Sequence, residues 1–237
     1  MKKDKIFVQD FYSYKNVVDD IGNTTDNIKE LFDFPERFKL ILFSGGADVN
    51  PKLYGDESPN NLCYYNEKRD SLDIKIFKHA QKNNIKMTGI CRGLQFLNVM
   101  SGGTLIHHLD HHSGTSHIFI SKRLHSPITV NSLHHQMVIP HKNSFTIGTT
   151  VKQLSEVYFG NNDQPIHRHE LDAEALYMPN INACGVQYHP EMLDEYTDGF
   201  EFFNTMVKEF LILSKKEFEY NYTIGNYKTI GVNNDQL

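Results

Sequence analysis

Three short runs in this 237-residue chain carry residue types that can break an acyl bond: Ser44-Gly45-Gly46, Gly89-Ile90-Cys91-Arg92-Gly93 and His189-Pro190-Glu191. Cys91 has Gly89 and Gly93 two residues to either side, giving G-x-C-x-G, the thiol counterpart of the nucleophile-elbow pattern G-x-S-x-G. A sharp strand-to-helix corner brings backbones close together, and a Cβ at either glycine would obstruct it. Such a corner also sets the sulfur at the positive end of a helix, where a thiolate is stabilised. On this run alone, a small core cysteine beside two turn glycines fits equally well.

His189 adds a base. Pro190 keeps His189 out of a helix, and in extended backbone residues two apart project to the same side. Glu191 can therefore orient the imidazole, the pairing of base and orienter that a nucleophile requires. Ser44-Gly45-Gly46 follows the apolar run Leu40-Ile41-Leu42-Phe43, and a Gly-Gly turn at a strand end can aim backbone N–H groups at an oxyanion. It has neither the spacing of a dinucleotide fingerprint nor the Gly-Lys-Ser/Thr ending of a phosphate loop.

The elements that must position these groups read as alternating strands and helices. Strands are predicted over 40–43, 85–90 and 183–188, and helices over 26–32, 70–81 and 92–101. Leu94, Leu97 and Met100 give the last of these its three-residue steps, and Gly102-Gly103 its stop. Phe200, Phe203, Val207, Phe210 and Leu211 mark a final amphipathic helix. The alternation predicts a parallel sheet with helices on its faces. Residues 118–177 are strand-rich, as in Ser126-Pro127-Ile128-Thr129-Val130, and predict antiparallel hairpins at one sheet edge.

Five histidines, His107, His108, His111, His112 and His117, lie within eleven positions. Ser113, Gly114 and Ser116 lie among them, and no cysteine or H-E-x-x-H spacing accompanies them. The stretch reads as a loop, solvated or at a pocket rim, and neither a metal nor another cofactor is expected. Residues 1–213 read as one domain. Residues 214–237 read as a polar extension with Thr-Ile-Gly at 223–225 and 229–231, forming a hairpin, a cover for a partner or a mobile tail.

Further runs fall in a consistent order around these three. They are Ser44-Gly45-Gly46-Ala47-Asp48-Val49-Asn50-Pro51 with Tyr54-Gly55, Arg69-Asp70, and Gly89-Ile90-Cys91-Arg92-Gly93-Leu94-Gln95. Then come Asn98-Val99, Gly102-Gly103-Thr104-Leu105, Val130-Asn131-Ser132-Leu133-His134-His135-Gln136, and Gly185-Val186-Gln187-Tyr188-His189-Pro190-Glu191. From about Leu40 to about Phe210 the chain resembles the class I (triad) glutamine amidotransferase superfamily. Within it, the chain resembles the gamma-glutamyl-gamma-aminobutyrate hydrolase family, grouped with the C26 peptidases.

The resemblance implies a flavodoxin-like α/β fold, a mostly parallel sheet flanked by helices with an antiparallel edge region. Position by position it implies Cys91 as nucleophile, His189 as general base and acid, and Glu191 as its orienting partner. The backbone N–H groups of Gly46 and Arg92 would form the oxyanion hole. Gln95 would help hold a glutamyl group, with Gly45, His135 and Gln136 in the same pocket. The implied reaction is cleavage of a gamma-glutamyl amide through a glutamyl thioester, each oxyanion donor contributing roughly 3 kcal/mol.

Two stretches depart from the family pattern. The first 39 residues lack its usual opening strand, for which Lys5-Ile6-Phe7-Val8 stands in. The run Phe159-Gly160-Asn161-Asn162-Asp163-Gln164-Pro165, followed by His167-Arg168-His169-Glu170, differs where the acceptor side of the pocket is expected. A free-standing gamma-glutamyl hydrolase is the leading expectation, since no synthetase domain follows and Asp48-Val49-x-Pro51-x-x-Tyr54-Gly55 favours that subgroup. A glutaminase subunit feeding ammonia to a separate synthetase is the alternative. A non-catalytic binding protein on this fold is the third, and the intact Cys91, His189 and Glu191 speak against it.

Composition narrows the partners. Lys and Arg (24) are scattered and outnumbered by Asp and Glu (29), a formal charge of −5 that argues against a nucleic-acid surface. Cys63, Cys91 and Cys184 lack C-x-x-C spacing and fit a reducing compartment. No apolar stretch follows Met1-Lys2-Lys3-Asp4-Lys5 as in a secretory signal, and no run approaches the ~18 apolar residues of a membrane helix. The expectation is a cytoplasmic enzyme of one α/β domain acting on a small molecule, compatible with a homo-oligomer.

Overall fold

The central parallel strands of this chain are mostly apolar and buried, which is what a strand covered on both faces requires. The computed structural model describes residues 4–224. The strands are β1 (Lys5–Val8), β2 (Asn23–Thr25), β3 (Phe38–Phe43), β4 (Lys86–Ile90), β5 (Thr104–Ile106), β6 (His108–Leu109) and β7 (Ser113–Ile120). They continue with β8 (Ile128–Leu133), β9 (Met137–Ile139), β10 (Phe145–Thr150), β11 (Tyr158–Phe159), β12 (Pro165–Ile166), β13 (Ala173–Met178) and β14 (Ala183–Val186). The helices are α1 (Phe11–Tyr14), α2 (Ile28–Asp33), α3 (Glu67–Lys82), α4 (Arg92–Met100), α5 (Asp198–Ile212) and α6 (Lys215–Glu219).

Nine strands form one sheet in the order β2-β1-β3-β4-β14-β13-β10-β7-β8. From β2 to β14 the pairs are parallel, and from β14 to β8 they are antiparallel. This is the flavodoxin order with an antiparallel extension at one edge, as the sequence and its resemblance imply. Lys5–Val8 pairs directly with β3 and so serves as the opening strand.

Each face of the sheet is covered by helices. Ile6, Leu40, Leu42 and Val186 pack with Phe203, Val207 and Phe210 of α5. Phe7, Ile41, Phe43 and Met87 pack on the other face with Ile76 and Ala80 of α3 and Leu94 and Leu97 of α4. The long helices start where side chains accept free N–H groups: Asn66 caps α3 and Thr197 caps α5. Two short ribbons lie beside the main sheet, β12-β11-β6 and β5-β9.

The histidine stretch is not a solvated loop. His108 lies in β6, and Ser113–Ile120 is the longest strand of the edge region. His107 and His112 are fully buried and His117 nearly so. The reason is long-range: Nδ1 of His107 lies 2.9 Å from Asp163 Oδ1, and Nε2 of His112 lies 3.1 Å from Asp172 Oδ2. These carboxylates supply hydrogen-bond partners that make burial tolerable.

Of the extension read as a hairpin, a cover for a partner or a mobile tail, the described part, 214–224, is helical. Ser214 and Glu217 form a capping box, α6 follows, and Tyr220–Ile224 continues as a π-helical turn. Phe218 and Tyr222 stack at 4.4 Å, and Phe218 packs on Tyr177 and Phe210 of the main core. α5 is therefore not the last helix. The Thr-Ile-Gly copy at 229–231 and the charged start at 1–3 lie outside the described residues.

Candidate active site

β3, β4 and β14 are neighbours in the sheet, and the three chemistry-bearing runs sit at their carboxyl ends, where open α/β sheets place ligands. Cys91 occupies the corner between β4 and α4 with φ 52° and ψ −111°, a left-handed conformation that costs energy for a residue with a Cβ. Its N–H donates to the Val186 carbonyl at 2.9 Å. The flanking glycines are sterically obligatory. A Cβ on Gly89 would overlap the Gly93–Leu94 backbone, and one on Gly93 would overlap the carbonyl of Phe43.

His189 is extended, with φ −109° and ψ 83°. Asn131 of β8 fixes its backbone from both sides: Asn131 Oδ1 accepts the His189 N–H at 2.9 Å and Asn131 Nδ2 donates to its carbonyl at 2.8 Å. Nδ1 of His189 lies 2.6 Å from Glu191 Oε1, and Nε2 is buried without a hydrogen-bond partner. Burial by itself disfavours the imidazolium. Cys91 and then Glu191 outweigh it and raise the His189 pKa to about 10.

Tyr14 closes the back of this group. Its hydroxyl accepts the Gly45 N–H at 3.1 Å. Burial, together with the charges of Glu191 and Cys91, holds its proton far above the ordinary phenol range.

The loop carrying Gly46 rests on a buried charged lattice. Arg92, 1% exposed, meets Asp70 at 2.5 Å and Asp73, while its Nε donates to the Ala47 carbonyl at 3.1 Å. Arg69 pairs with Asp73 at 3.1 Å and donates to the Ser44 hydroxyl at 3.0 Å and to Gln9 Oε1 at 2.6 Å. Two guanidiniums thus balance two carboxylates; removing one partner from such a group typically costs about 3–5 kcal/mol. The same residue whose side chain braces the loop, Arg92, begins α4, so its backbone N–H has no intrahelical partner. Gly46 reaches its place with φ 135°, a conformation that favours glycine.

A cavity of about 280 Å³ opens over Cys91, with Gly46, Gln95, His135 and Gln136 in its walls. Gln95 donates to the Gln136 carbonyl at 3.2 Å. The Gln136 amide turns away, donating to Cys63 Sγ at 3.1 Å and the His107 carbonyl at 3.3 Å. His135 stands at the rim, with Nε2 3.2 Å from Asp48 Oδ2. Gly45 does not line the cavity, and its N–H is taken by Tyr14. Larger hollows near Arg123 and near Asn16 hold none of these groups.

No residue of the expected acceptor segment lines the cavity; Phe159 is linked to its rim through His108 at 6.1 Å, whose ring is 5.7 Å from that of His135. Asn161 and Asp163 instead tether the 57–60 loop: Asn161 accepts from the Glu57 N–H, and Asp163 from the Ser58 hydroxyl and the Asn60 N–H. Sequence reasoning missed Ala47, Asp48, Tyr64, Leu133 and His134 in the wall, although all but Tyr64 sit inside runs it singled out. Tyr14 had no signal; it lies in the stretch where the family pattern was absent.

The profile of the peptidase C26 family matches residues 24–126. The glutamine amidotransferase-like protein YvdE of Lactococcus lactis subsp. lactis is 30% identical over 206 residues, covering 76% of this chain and 79% of that protein. Its homolog in Lactococcus lactis subsp. cremoris is 33% identical over 153 residues, 53% of this chain and 80% of the relative. Among solved structures, a glutamine amidotransferase from Thermotoga maritima shares the fold with a TM-score of 0.51 at 12% identity, over 93% of this chain and 95% of that one. A glutamine amidotransferase from Methylobacillus flagellatus does so at 0.52 and 13% identity, over 81% and 72%. The chain belongs to the class I glutamine amidotransferase-like superfamily and, within it, to the peptidase C26 family.

Proposed function

We propose that this chain hydrolyses a gamma-glutamyl amide through a thioester on Cys91. The observation that carries the reading is the strained Cys91 corner, set beside a Glu191-backed His189 on the adjoining strand end. In this reading the Cys91 thiolate, paired with the His189 imidazolium, attacks the side-chain carbonyl carbon. The backbone N–H groups of Gly46 and Arg92 hold the developing oxyanion, each worth roughly 3 kcal/mol. The C–N bond breaks as His189 gives its proton to the departing amine. Water then attacks the thioester carbonyl and gives a proton to His189, releasing glutamate and restoring the thiolate. Gln95 and His135 hold the glutamyl end. The three free thiols support a reducing compartment, such as the cytoplasm, as the place of action, and no helix among the described residues is long and apolar enough to cross a membrane.

The test is a panel of gamma-glutamyl amides, glutamine included, with intact-mass detection of a glutamyl adduct. An adduct that vanishes in Cys91→Ala supports the reading; no adduct and no turnover across the panel rejects it. The description of relatives as amidotransferases favours a second reading, a glutaminase that passes ammonia to a separate synthetase. Strong turnover of a gamma-glutamyl amine by the chain alone excludes that second reading. Glutamine turnover that rises only with a synthetase present selects it.

A further inference from the structure

The edge region of the sheet holds a second cluster that the proposed reaction does not use. Glu174 of β13 is wholly buried. Its Oε1 lies 3.5 Å from Nδ1 of His112, 3.4 Å from Nε2 of His117 and 3.6 Å from Nε2 of His134. Both Glu174 oxygens, Nε2 of His134 and both ring nitrogens of His117 are buried without a hydrogen-bond partner. Buried polar atoms are almost always paired, so this concentration calls for an occupant.

The protons on two rings can be assigned from their outer contacts. Nδ1 of His134 lies 2.8 Å from the Gln136 carbonyl, which can only accept, so Nδ1 carries the hydrogen. Nε2 of His112 lies 3.1 Å from Asp172, whose carboxylate also accepts from the Tyr158 hydroxyl at 2.7 Å and the Leu154 N–H at 3.1 Å. In the neutral rings the lone pairs are therefore Nε2 of His134 and Nδ1 of His112, the two atoms that face Glu174. The Ser132 hydroxyl lies 2.6 Å from the His112 carbonyl and 3.4 Å from His112 Nδ1; its one hydrogen goes to the nearer carbonyl, which leaves the Nδ1 lone pair for an ion. Lone pairs facing a carboxylate repel unless a cation lies between them.

The spacing suits one class of cation. Tetrahedral zinc, with bonds of about 2.0–2.1 Å, holds neighbouring ligand atoms about 3.4 Å apart. The Glu174 separations of 3.4–3.6 Å match that edge length. Ligand atoms of His112, His134 and Glu174 all lie within 4.8 Å of one another. Asp172 behind His112 and the Gln136 carbonyl behind His134 are the outer partners that orient metal-binding imidazoles.

We propose that His112, His134 and Glu174 bind a zinc-class divalent ion, with His117, which lies outside that group of three but whose Nε2 is 3.4 Å from Glu174, turning in as fourth ligand, so that the ion pins β7, the turn after β8 and β13 together. Four protein ligands, each more than nine-tenths buried, make the site structural, since a catalytic ion keeps an open position. The Gln136 carbonyl that orients His134 also accepts from Gln95, so the ion steadies one wall of the Cys91 cavity.

The experiment uses the full chain without a histidine tag, purified without immobilised metal. Elemental analysis is expected to find about one zinc-class ion per chain. A strong chelator should lower the melting temperature and added zinc restore it. Cobalt reconstitution should give the intense visible bands of a tetrahedral ion. Glu174→Gln should lose most of the metal, whereas a change at the exposed His125, His125→Ala, should keep it. Wild-type protein with no bound metal after zinc reconstitution, and a melting temperature indifferent to chelator and zinc, overturns the proposal in favour of a protonated imidazole network. Should Glu174→Gln fail to fold, the wild-type metal content and cobalt spectrum still decide.

Discussion

Cys63, Cys91 and Cys184 are all free and buried, yet their surroundings separate them as nucleophiles. Burial pushes the Cys63 thiol up to about 11 and the Cys184 thiol up to about 12. At pH 7 these lie about four and five units above the solution, so the thiolate fraction is about 10⁻⁴ at Cys63 and about 10⁻⁵ at Cys184. Cys91 instead faces His189, whose proton is held to about pH 10. A stoichiometric dose of iodoacetamide at pH 7 should therefore label Cys91 alone, read by intact mass and peptide mapping. Unfolding the protein in excess reagent should make all three thiols react. His189→Asn removes the adjacent cation. Losing it should slow the labelling of Cys91. Equal labelling of Cys63 or Cys184 in the native protein, or an undiminished rate in His189→Asn, would refute the reasoning.

Four further outcomes follow from the same geometry. Tyr14→Phe keeps the ring but strips the Gly45 N–H of its acceptor. At about 1–3 kcal/mol for an unsatisfied buried donor, turnover in the gamma-glutamyl assay should fall about tenfold with an unchanged circular dichroism spectrum. Gly93→Ala should yield no folded protein in a solubility and melting assay, because the new Cβ meets the Phe43 carbonyl. Gly114→Ala, whose Cβ enters open space at φ 69°, should cost only about 1 kcal/mol by denaturant titration. The pKa of His189 rises on folding from 6.5 to about 10, so the ion pair stabilises fully below pH 6.5 and is lost as pH rises through about 10. Melting temperature should accordingly decline between pH 7 and 10 more in wild type than in His189→Asn, and parallel curves for the two proteins would contradict this.

The parts legible in the sequence are those set by local sterics. A corner that tolerates no Cβ at Gly89 or Gly93 leaves its mark within five residues, and the Pro190 that holds His189 extended does the same. The apolar runs of β3 and β4 announce buried parallel strands for a similar reason. The histidine stretch was opaque because its burial depends on Asp163, Asp172 and Glu174, which lie far along the chain. Tyr14 depends on the way α1 folds back against Gly45. The segment after Ser214 did carry a signal: the Ser214/Glu217 capping box and the four-residue step from Phe218 to Tyr222. Polar neighbours hid it.

Cys91 and His189 follow adjoining parallel strands, spaced about 4.8 Å apart, although much of the chain runs between them. The part from Thr104 to Ile166 supplies Leu133, His134, His135 and Gln136 to the cavity wall but none of the residues at the corner or in the His189–Glu191 pair. One tie from it to His189 runs through Asn131, which grips the His189 backbone. Substitutions in this part can therefore reshape its share of the wall without replacing any residue of the Cys91 corner or of the His189–Glu191 pair, provided Asn131 stays where β8 meets His189.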